Sequence, residues 1–254
     1  MIVAGSRILV PVTADRRDLA QRLRAAGATV DEAQFIAVVD TSDHEGLRAA
    51  TARWCGGAFD WLAITSRNAA FALQRVATSD GLDLGAAVPP SRVAAVGEAT
   101  RAACESVGLE VALMPPQSQD AVGMIAAFPE GPGTVLAPLG DLAAPVLANG
   151  LAAKGWEVTR VEAYRVVDGP GVTASTAAAL AAGEFDAVVL TSGSVAERYA
   201  RQGAPHEADT LVVAIGRTTA AAASDAGVHV DAVAAVPTYD GILEALEGAR
   251  KGSR

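Results

Sequence analysis

The sequence predicts an α/β protein of two similar lobes, each a small parallel sheet flanked by helices, with a two-stranded antiparallel linker joining them. Three observations carry this reading. Apolar runs of four to six residues alternate with helical patterns of about ten along the chain, the pattern of βαβ units and parallel sheets. Two kinds of segment each occur twice. Each copy also contains one stretch of about ten strand-like residues, long enough to leave one sheet and enter another.

The first repeated unit is "RILVPVTADRRDLAQRLRAAGATVDEAQFIAVVD" from 7 to 40, matched by "TVLAPLGDLAAPVLANGLAAKGWEVTRVEAYRVVD" from 134 to 168. Each reads as strand, helix, glycine and long strand. The second pair opens with "FDWLAITS" from 59 and "FDAVVLTS" from 185. It continues through "RVAAVGEATRAACESVGLEVA" from 92 and "LVVAIGRTTAAAASDAGVHVD" from 211. Gly27, Gly108, Gly155 and Gly227 each follow an alanine-rich helix and precede a strand, where a left-handed residue ends a helix at low cost. Gly97 and Gly216 instead follow a strand and open a helix, at the strand end where open α/β sheets bind ligands. Pro89, Pro90, Pro115 and Pro116 read as rigid loop punctuation, and the terminal "ARKGSR" as a frayed tail.

Composition narrows the chemistry. The 254 residues are 51% hydrophobic but only 4% aromatic, so packing rests on many small side chains in regular elements. The formal charge of −9 argues against sequence-independent nucleic-acid binding, which needs Lys and Arg to neutralise phosphates. No apolar run reaches the ~20 residues of a membrane-spanning helix, and "MIVAGSRILVPV" lacks the features of a signal peptide, which suggests a cytoplasmic protein. Cys55 and Cys104 form no CxxC pair, and Cys104 falls on an apolar helix face, so both read as inert thiols. His44, His206 and His229 are scattered, which predicts no metal site.

Thr65, Ser66, Thr191 and Ser192 stand at strand-to-helix turns. Such hydroxyls cap helices, and they also face anions bound at helix N-termini. Their recurrence points to the second role: Ser66 with Thr100, and Ser192 with Thr219, put hydroxyls on neighbouring strand ends in both halves. Two such sheets facing each other would line a cleft suited to a flexible, multiply carboxylated molecule. "TSRNAA" and "TSGSVA" are not GxSxG elbows, and "VGEATRAACESVG" is not a dinucleotide fingerprint. Tyr164 aligns with Ile36 in the other copy, so one long strand carries a phenol where its partner is aliphatic.

The ordered set "DWLAITSRNA", "VAAVGEAT", "VEAYRVV", "VVLTSGSVAE", "VAIGRTTA" and "PTYDGILEAL" resembles the uroporphyrinogen-III synthase family over nearly the whole chain. The resemblance implies interleaved lobes, 1–38 with 168–254, and 39–167 inserted between them; composition alone leaves a simple cut near residue 131 equally open. It implies closure of linear hydroxymethylbilane, with its eight carboxylates, to uroporphyrinogen III, with ring D inverted and water lost. The implied route runs from an azafulvene cation through a spiro intermediate, and its demand is for positioning that excludes the uninverted closure.

By the same resemblance Tyr164 donates a hydrogen bond to the departing hydroxyl. The hydroxyls of Thr65, Ser66, Thr100, Thr191, Ser192, Ser194 and Thr219 meet substrate carboxylates, aided by backbone N–H groups at Arg67, Gly193 and Arg217 and by the turns at Gly97 and Gly216. No cofactor is implied. A monomer is expected, with transient hand-off of substrate from hydroxymethylbilane synthase. Two positions depart from the family pattern: Ala14 and Pro138 stand where many relatives carry a basic residue, with Arg16 or Arg17 able to replace the first. That departure motivates an alternative, a non-catalytic homologue that binds a tetrapyrrole or another polyanion and regulates a partner. A two-lobed solute-binding protein is a second alternative, opposed by the Thr-Ser repeat.

Overall fold

Runs such as Ile8-Leu9-Val10 and Leu62-Ala63-Ile64 are apolar on both strand faces, so they are satisfied only as central strands covered from both sides. The computed structural model describes residues 4–12, 17–86, 91–202 and 209–252 and places them so. The chain divides into two compact units, residues 1–37 with 167–254 and residues 38–166.

The first unit begins with β1 (Arg7–Pro11), α1 (Asp18–Ala25) and most of β2 (Thr29–Asp40). The second holds the end of β2, then α2 (His44–Cys55), β3 (Trp61–Ile64), α3 (Arg67–Ser79), β4 (Arg92–Ala95), α4 (Glu98–Ser106), β5 (Val111–Leu113), α5 (Ala121–Ala127), β6 (Gly133–Gly140), α6 (Val146–Ala153) and most of β7 (Trp156–Gly171). The first resumes within β7 and adds α7 (Ala174–Ala181), β8 (Ala187–Leu190), α8 (Gly193–Gln202), β9 (Leu211–Ala214), α9 (Arg217–Asp225), β10 (Ala232–Val233) and α10 (Tyr239–Gly252). The crossings fall inside the two longest strands, β2 with 12 residues and β7 with 16.

Strand order in the first unit is β10-β9-β8-β1-β2 and in the second β5-β4-β3-β6-β7. The pairs β1–β2, β1–β8, β8–β9 and β9–β10, and β3–β4, β3–β6, β4–β5 and β6–β7, are all parallel. Side chains alternate between two cores in each unit. Ile8, Val10 and Val189 join α1 and α10, while Leu9, Val188 and Leu190 join α7, α8 and α9. Leu62 and Ile64 join α2, α3 and α4, while Trp61 and Ala63 join α5 and α6. Each fully buried leucine, such as Leu62 or Leu73, contributes roughly 1.5–3 kcal/mol.

The helix-ending glycines behave as their positions demand. Gly27, Gly108, Gly155 and Gly227 have φ of +91°, +84°, +90° and +83°, one residue beyond their helix caps, where a side chain would be strained. Of the terminal "ARKGSR", expected as a frayed tail, the part up to Gly252 belongs to α10, and Ser253 and Arg254 lie outside the described residues. Pro89 and Pro90 lie outside the described residues. Pro115 and Pro116 occupy the β5–α5 loop as expected.

Candidate functional site

In each unit the strand order reverses once. The chain steps outward from β1 to β2 and later returns to β8 on the other side of β1, so the reversal lies between β1 and β8. In the second unit it lies between β3 and β6. Crevices beyond the carboxyl ends of strands at such points are where open α/β sheets hold ligands; Thr65 and Ser66 follow β3 and Thr191 and Ser192 follow β8, while Gly97, Thr100, Gly216, Arg217 and Thr219 follow β4 and β9, one strand further out.

In the second unit β3 runs into Thr65 and Ser66 before α3, and β4 into Val96 and Gly97 before α4. The two strands are in register, Ile64 opposite Ala95, and the Val96 N–H donates to Ile64 O at 3.0 Å. Two helix N-termini therefore stand side by side. Ser66 caps α3, its Oγ accepting from the Asn68 N–H at 3.2 Å, and Arg67 is the first residue of that helix. Gly97 caps α4 with extended backbone and no side-chain acceptor, and the Thr100 N–H donates to Gly97 O at 3.0 Å.

The first unit repeats this frame. Leu190 is opposite Ala214, and the Ile215 N–H donates to Leu190 O at 2.9 Å. Thr191 and Ser192 precede α8, which opens with Gly193 and Ser194; Ser192 Oγ accepts from the Val195 N–H at 3.2 Å and lies 3.2 Å from Ser194 Oγ. Gly216, again without a side-chain acceptor, caps α9, whose first residue is Arg217. Thr191 and Ser192, with Val12, Ile215 and Tyr239, line a crevice of about 180 Å³ between the ends of β1 and β8.

Thr100 and Thr219 differ from expectation. Both lie one turn inside their helices and are only 6% and 5% exposed, so their hydroxyls offer a ligand little surface. The bases of the two frames also differ in charge. Glu98 opens α4 where Arg217 opens α9, and Glu98 is held by Arg101, which keeps its carboxyl below the usual range and is itself shared with Glu105.

Tyr164 is half-buried on β7 beside the reversal point of the second unit. It stands opposite Gly140, the last residue of β6, and packs on the core of α2, α3 and α4. The β6–β7 register shifts there, Leu139 pairing with Glu162 and Gly140 with Tyr164, so Ala163 has no opposite residue. Such bulges re-aim side chains next to functional sites.

Of the positions where a basic residue was at issue, Ala14 and Arg16 lie outside the described residues. Arg17 is engaged with Glu32, Nη1 to Oε2 at 3.1 Å, and Pro138 is buried within β6. Cys104 is fully buried and its thiol is pushed up to about 12 by that burial, in keeping with an inert role. Among the described residues no group of three His, Cys, Asp or Glu is placed to hold a metal ion, and no helix is long and apolar enough to cross a membrane.

Sequence reasoning passed over three neighbours of these frames. Tyr239 enters the first-unit crevice from the start of α10; its place in "PTYDGILEAL" was the available signal. The Gln119 carboxamide lies against Gly97, where a Cβ would come within 2.4 Å of its Oε1, and Gly140 lies under the Tyr164 ring. Neither contact leaves a trace in sequence spacing.

Known proteins bear on this geometry in two ways. The chain has the fold of a mutant uroporphyrinogen III synthase from the extremely thermophilic bacterium Thermus thermophilus, with a TM-score of 0.67, 21% identity and coverage of 98% of this chain and 100% of that one. A uroporphyrinogen-III synthetase from Helicobacter pylori matches with a TM-score of 0.61 and 16% identity over 95% and 99% of the two chains. The wild-type Thermus enzyme in another crystal form gives a TM-score of 0.52 at 21% identity over 98% and 99%. No protein of curated function matches in sequence. The family model for uroporphyrinogen-III synthase HemD matches residues 5–244, and with that match over nearly its whole length the chain belongs to the uroporphyrinogen-III synthase family.

Proposed function

We propose that the paired helix N-termini and Tyr164 carry out the closure of hydroxymethylbilane to uroporphyrinogen III. The observation that carries this assignment is the duplicated frame: two adjacent strand ends feeding two adjacent helices, present in both units, with hydroxyls at one helix of each pair and bare glycine caps at the other. Neutral hydroxyls and helix N-termini bind carboxylates without requiring a positive protein. A chain of formal charge −9 can thereby hold a polyanion. In this assignment Thr65, Ser66, Thr191, Ser192 and Ser194 supply hydroxyls. Arg67, Gly193 and Arg217 supply N–H groups, and the glycine caps Gly97 and Gly216 let substrate approach the backbone. The covered hydroxyls of Thr100 and Thr219 are not part of it.

Tyr164 donates its phenolic hydrogen bond to the hydroxyl that leaves ring A. Carbon–oxygen cleavage, with the phenolic proton passing to the departing hydroxyl, gives water, the azafulvenium cation and a phenolate; ring D attacks to form the spiro intermediate, fragmentation followed by reclosure inverts that ring, and the proton it loses on reclosure restores the phenol. The unassisted molecule already closes without inversion, so the protein's contribution is to hold one carbon in reach and exclude its neighbour. A substrate that closes by itself to the wrong isomer also favours direct hand-off from hydroxymethylbilane synthase. The chain works as a monomer in the cytoplasm in this reading; a mass that rises with concentration in solution scattering would overturn the monomer.

The test supplies freshly generated hydroxymethylbilane and separates uroporphyrinogen isomers I and III after oxidation. Wild type yields isomer III, and Tyr164→Phe lowers its formation by ~10²-fold or more, the scale of a lost proton-donating group. Isomer I alone from wild type would turn the assignment toward a polyanion-binding homologue, the reading that the buried Pro138 and the engaged Arg17 favour.

A further inference from the structure

The register shift at the end of β6 is occupied by a pair of residues with no assigned part in the reaction, Gly140 and Asp141. A Cβ added to Gly140 would lie 2.9 Å from both Cε2 and Cζ of Tyr164 and 3.1 Å from its Oη. The Tyr164 ring therefore rests directly on the Gly140 backbone. Gly140 is not among the glycines of positive φ, so its backbone tolerates any residue and the ring is what excludes a side chain. Asp141 grips the same segment from both sides. Its N–H donates to Tyr164 O at 3.1 Å, and its Oδ1 accepts from the Val166 N–H at 3.0 Å. The Asp141 side chain is 18% exposed and lies 3.9 Å from the Arg165 guanidinium. The other copy of the repeat supports the pairing by contrast: in sequence register, Thr13 stands for Gly140 and Ile36 for Tyr164. A glycine accompanies the aromatic ring, and a larger residue accompanies the aliphatic one.

We infer that Gly140 and Asp141 are positioning residues for the reaction, Gly140 setting the height of the Tyr164 phenol and Asp141 fixing the backbone that carries it. The inference rests on Tyr164 acting at the leaving hydroxyl. Displacing a reacting group by about an ångström can cost ~10²-fold in rate, and a methyl group forced between ring and backbone produces a displacement of that order. Asp141 restrains the other degree of freedom. Without its carboxylate the Val166 N–H loses its acceptor and the strand beside the bulge is free to shift.

The chain has three tyrosines, Tyr164, Tyr199 and Tyr239, so ring-¹³C tyrosine labelling gives a spectrum in which each is followed separately. Gly140→Ala is expected to lower kcat ~10–100-fold with KM nearly unchanged, and to move the Tyr164 signal while leaving Tyr199 and Tyr239 in place. In a Tyr164→Ala background the same substitution should cost less than ~2-fold, because the ring it acts through is gone. Asp141→Ala should also lower kcat and move the Tyr164 signal. Asp141→Asn should recover most of both, since its carboxamide oxygen still accepts from Val166; these two variants carry the test if Gly140→Ala does not fold. An equal cost of Gly140→Ala with and without the ring, or a fall in kcat with the Tyr164 signal unmoved, overturns the inference. Full activity in Tyr164→Phe removes the reading beneath it, a result distinguishable from either of those.

Discussion

Ser66 is the position at which capping a helix and binding a carboxylate can be pulled apart. Its Oγ accepts from the Asn68 N–H at 3.2 Å, and serine and aspartate are equally good at that task. Ser66→Asp should therefore keep stability within ~0.5 kcal/mol, helped by a negative charge at the helix N-terminus. The same substitution fixes a negative charge where a substrate carboxylate is proposed to sit. Two unit charges 4 Å apart repel by ~4 kcal/mol at the effective dielectric of a protein surface. With ~1.4 kcal/mol per tenfold change, KM for hydroxymethylbilane should rise ~10²–10³-fold at low salt, and by less as salt screens the pair. Ser66→Ala reverses the balance. It loses the cap, at ~1 kcal/mol of stability, and one charge-assisted hydrogen bond worth ~1.5–3 kcal/mol, raising KM ~10–100-fold. The assay is a thermal melt beside a KM determination for both variants. Wild-type KM in Ser66→Asp would reduce Ser66 to a cap and refute the carboxylate role.

Asp168 is held below the usual carboxyl range: burial pushes it up, but Arg201, Gln202 and Arg198 outweigh that. A carboxyl depressed by folding contributes stability above its unfolded pKa and loses it as pH falls through the folded value; melting temperatures of wild type and Asp168→Asn should therefore differ at neutral pH and converge below about pH 4. Trp54 is 1% exposed and its Nε1 donates to Leu84 O at 3.1 Å; Trp54→Ala should destabilise by ~3–5 kcal/mol, read by calorimetry. Cys104 should resist alkylation in the native protein at pH 8 and react only on unfolding, because its thiol sits at about 12; rapid native labelling at that residue would contradict its burial.

The sheets were legible because their strands are covered on both faces: four-residue runs such as Trp61–Ile64 and Ala187–Leu190 leave no polar face to mislead the reading. The capping glycines were legible for a local reason too, since a left-handed turn after an alanine-rich helix strongly prefers glycine. Hydroxyl type at the strand ends also survived into the structure, with Ser66 and Ser192 both found at helix starts. Direction did not. Thr100 and Thr219 occur at the same spacing in both copies, yet both are buried, a tertiary fact absent from the spacing. The Gly140–Tyr164 contact was hidden for the same reason: residues 24 positions apart meet only through the register shift between β6 and β7.

A duplicated frame of donors has a chemical consequence of its own. The donors shared by the two copies, Thr65 with Ser66 and Thr191 with Ser192, cannot by themselves tell one end of a linear tetrapyrrole from the other. The proposed reaction must tell them apart, since only ring A carries the leaving hydroxyl. In the proposed assignment discrimination belongs to the positions where the copies diverge: Tyr164 against Ile36, Gly140 against Thr13, Arg67 and Asn68 against Gly193 and Ser194, and Glu98 with its Arg101 partner against Arg217. The first of these decides where the hydroxyl can be released, because an isoleucine can donate nothing to it. The last makes the two frames unequal toward an anion, since a paired glutamate offers one less than an exposed arginine at the same helix position. In the proposed assignment, then, similarity between the copies accounts for holding the substrate, and their differences account for its orientation.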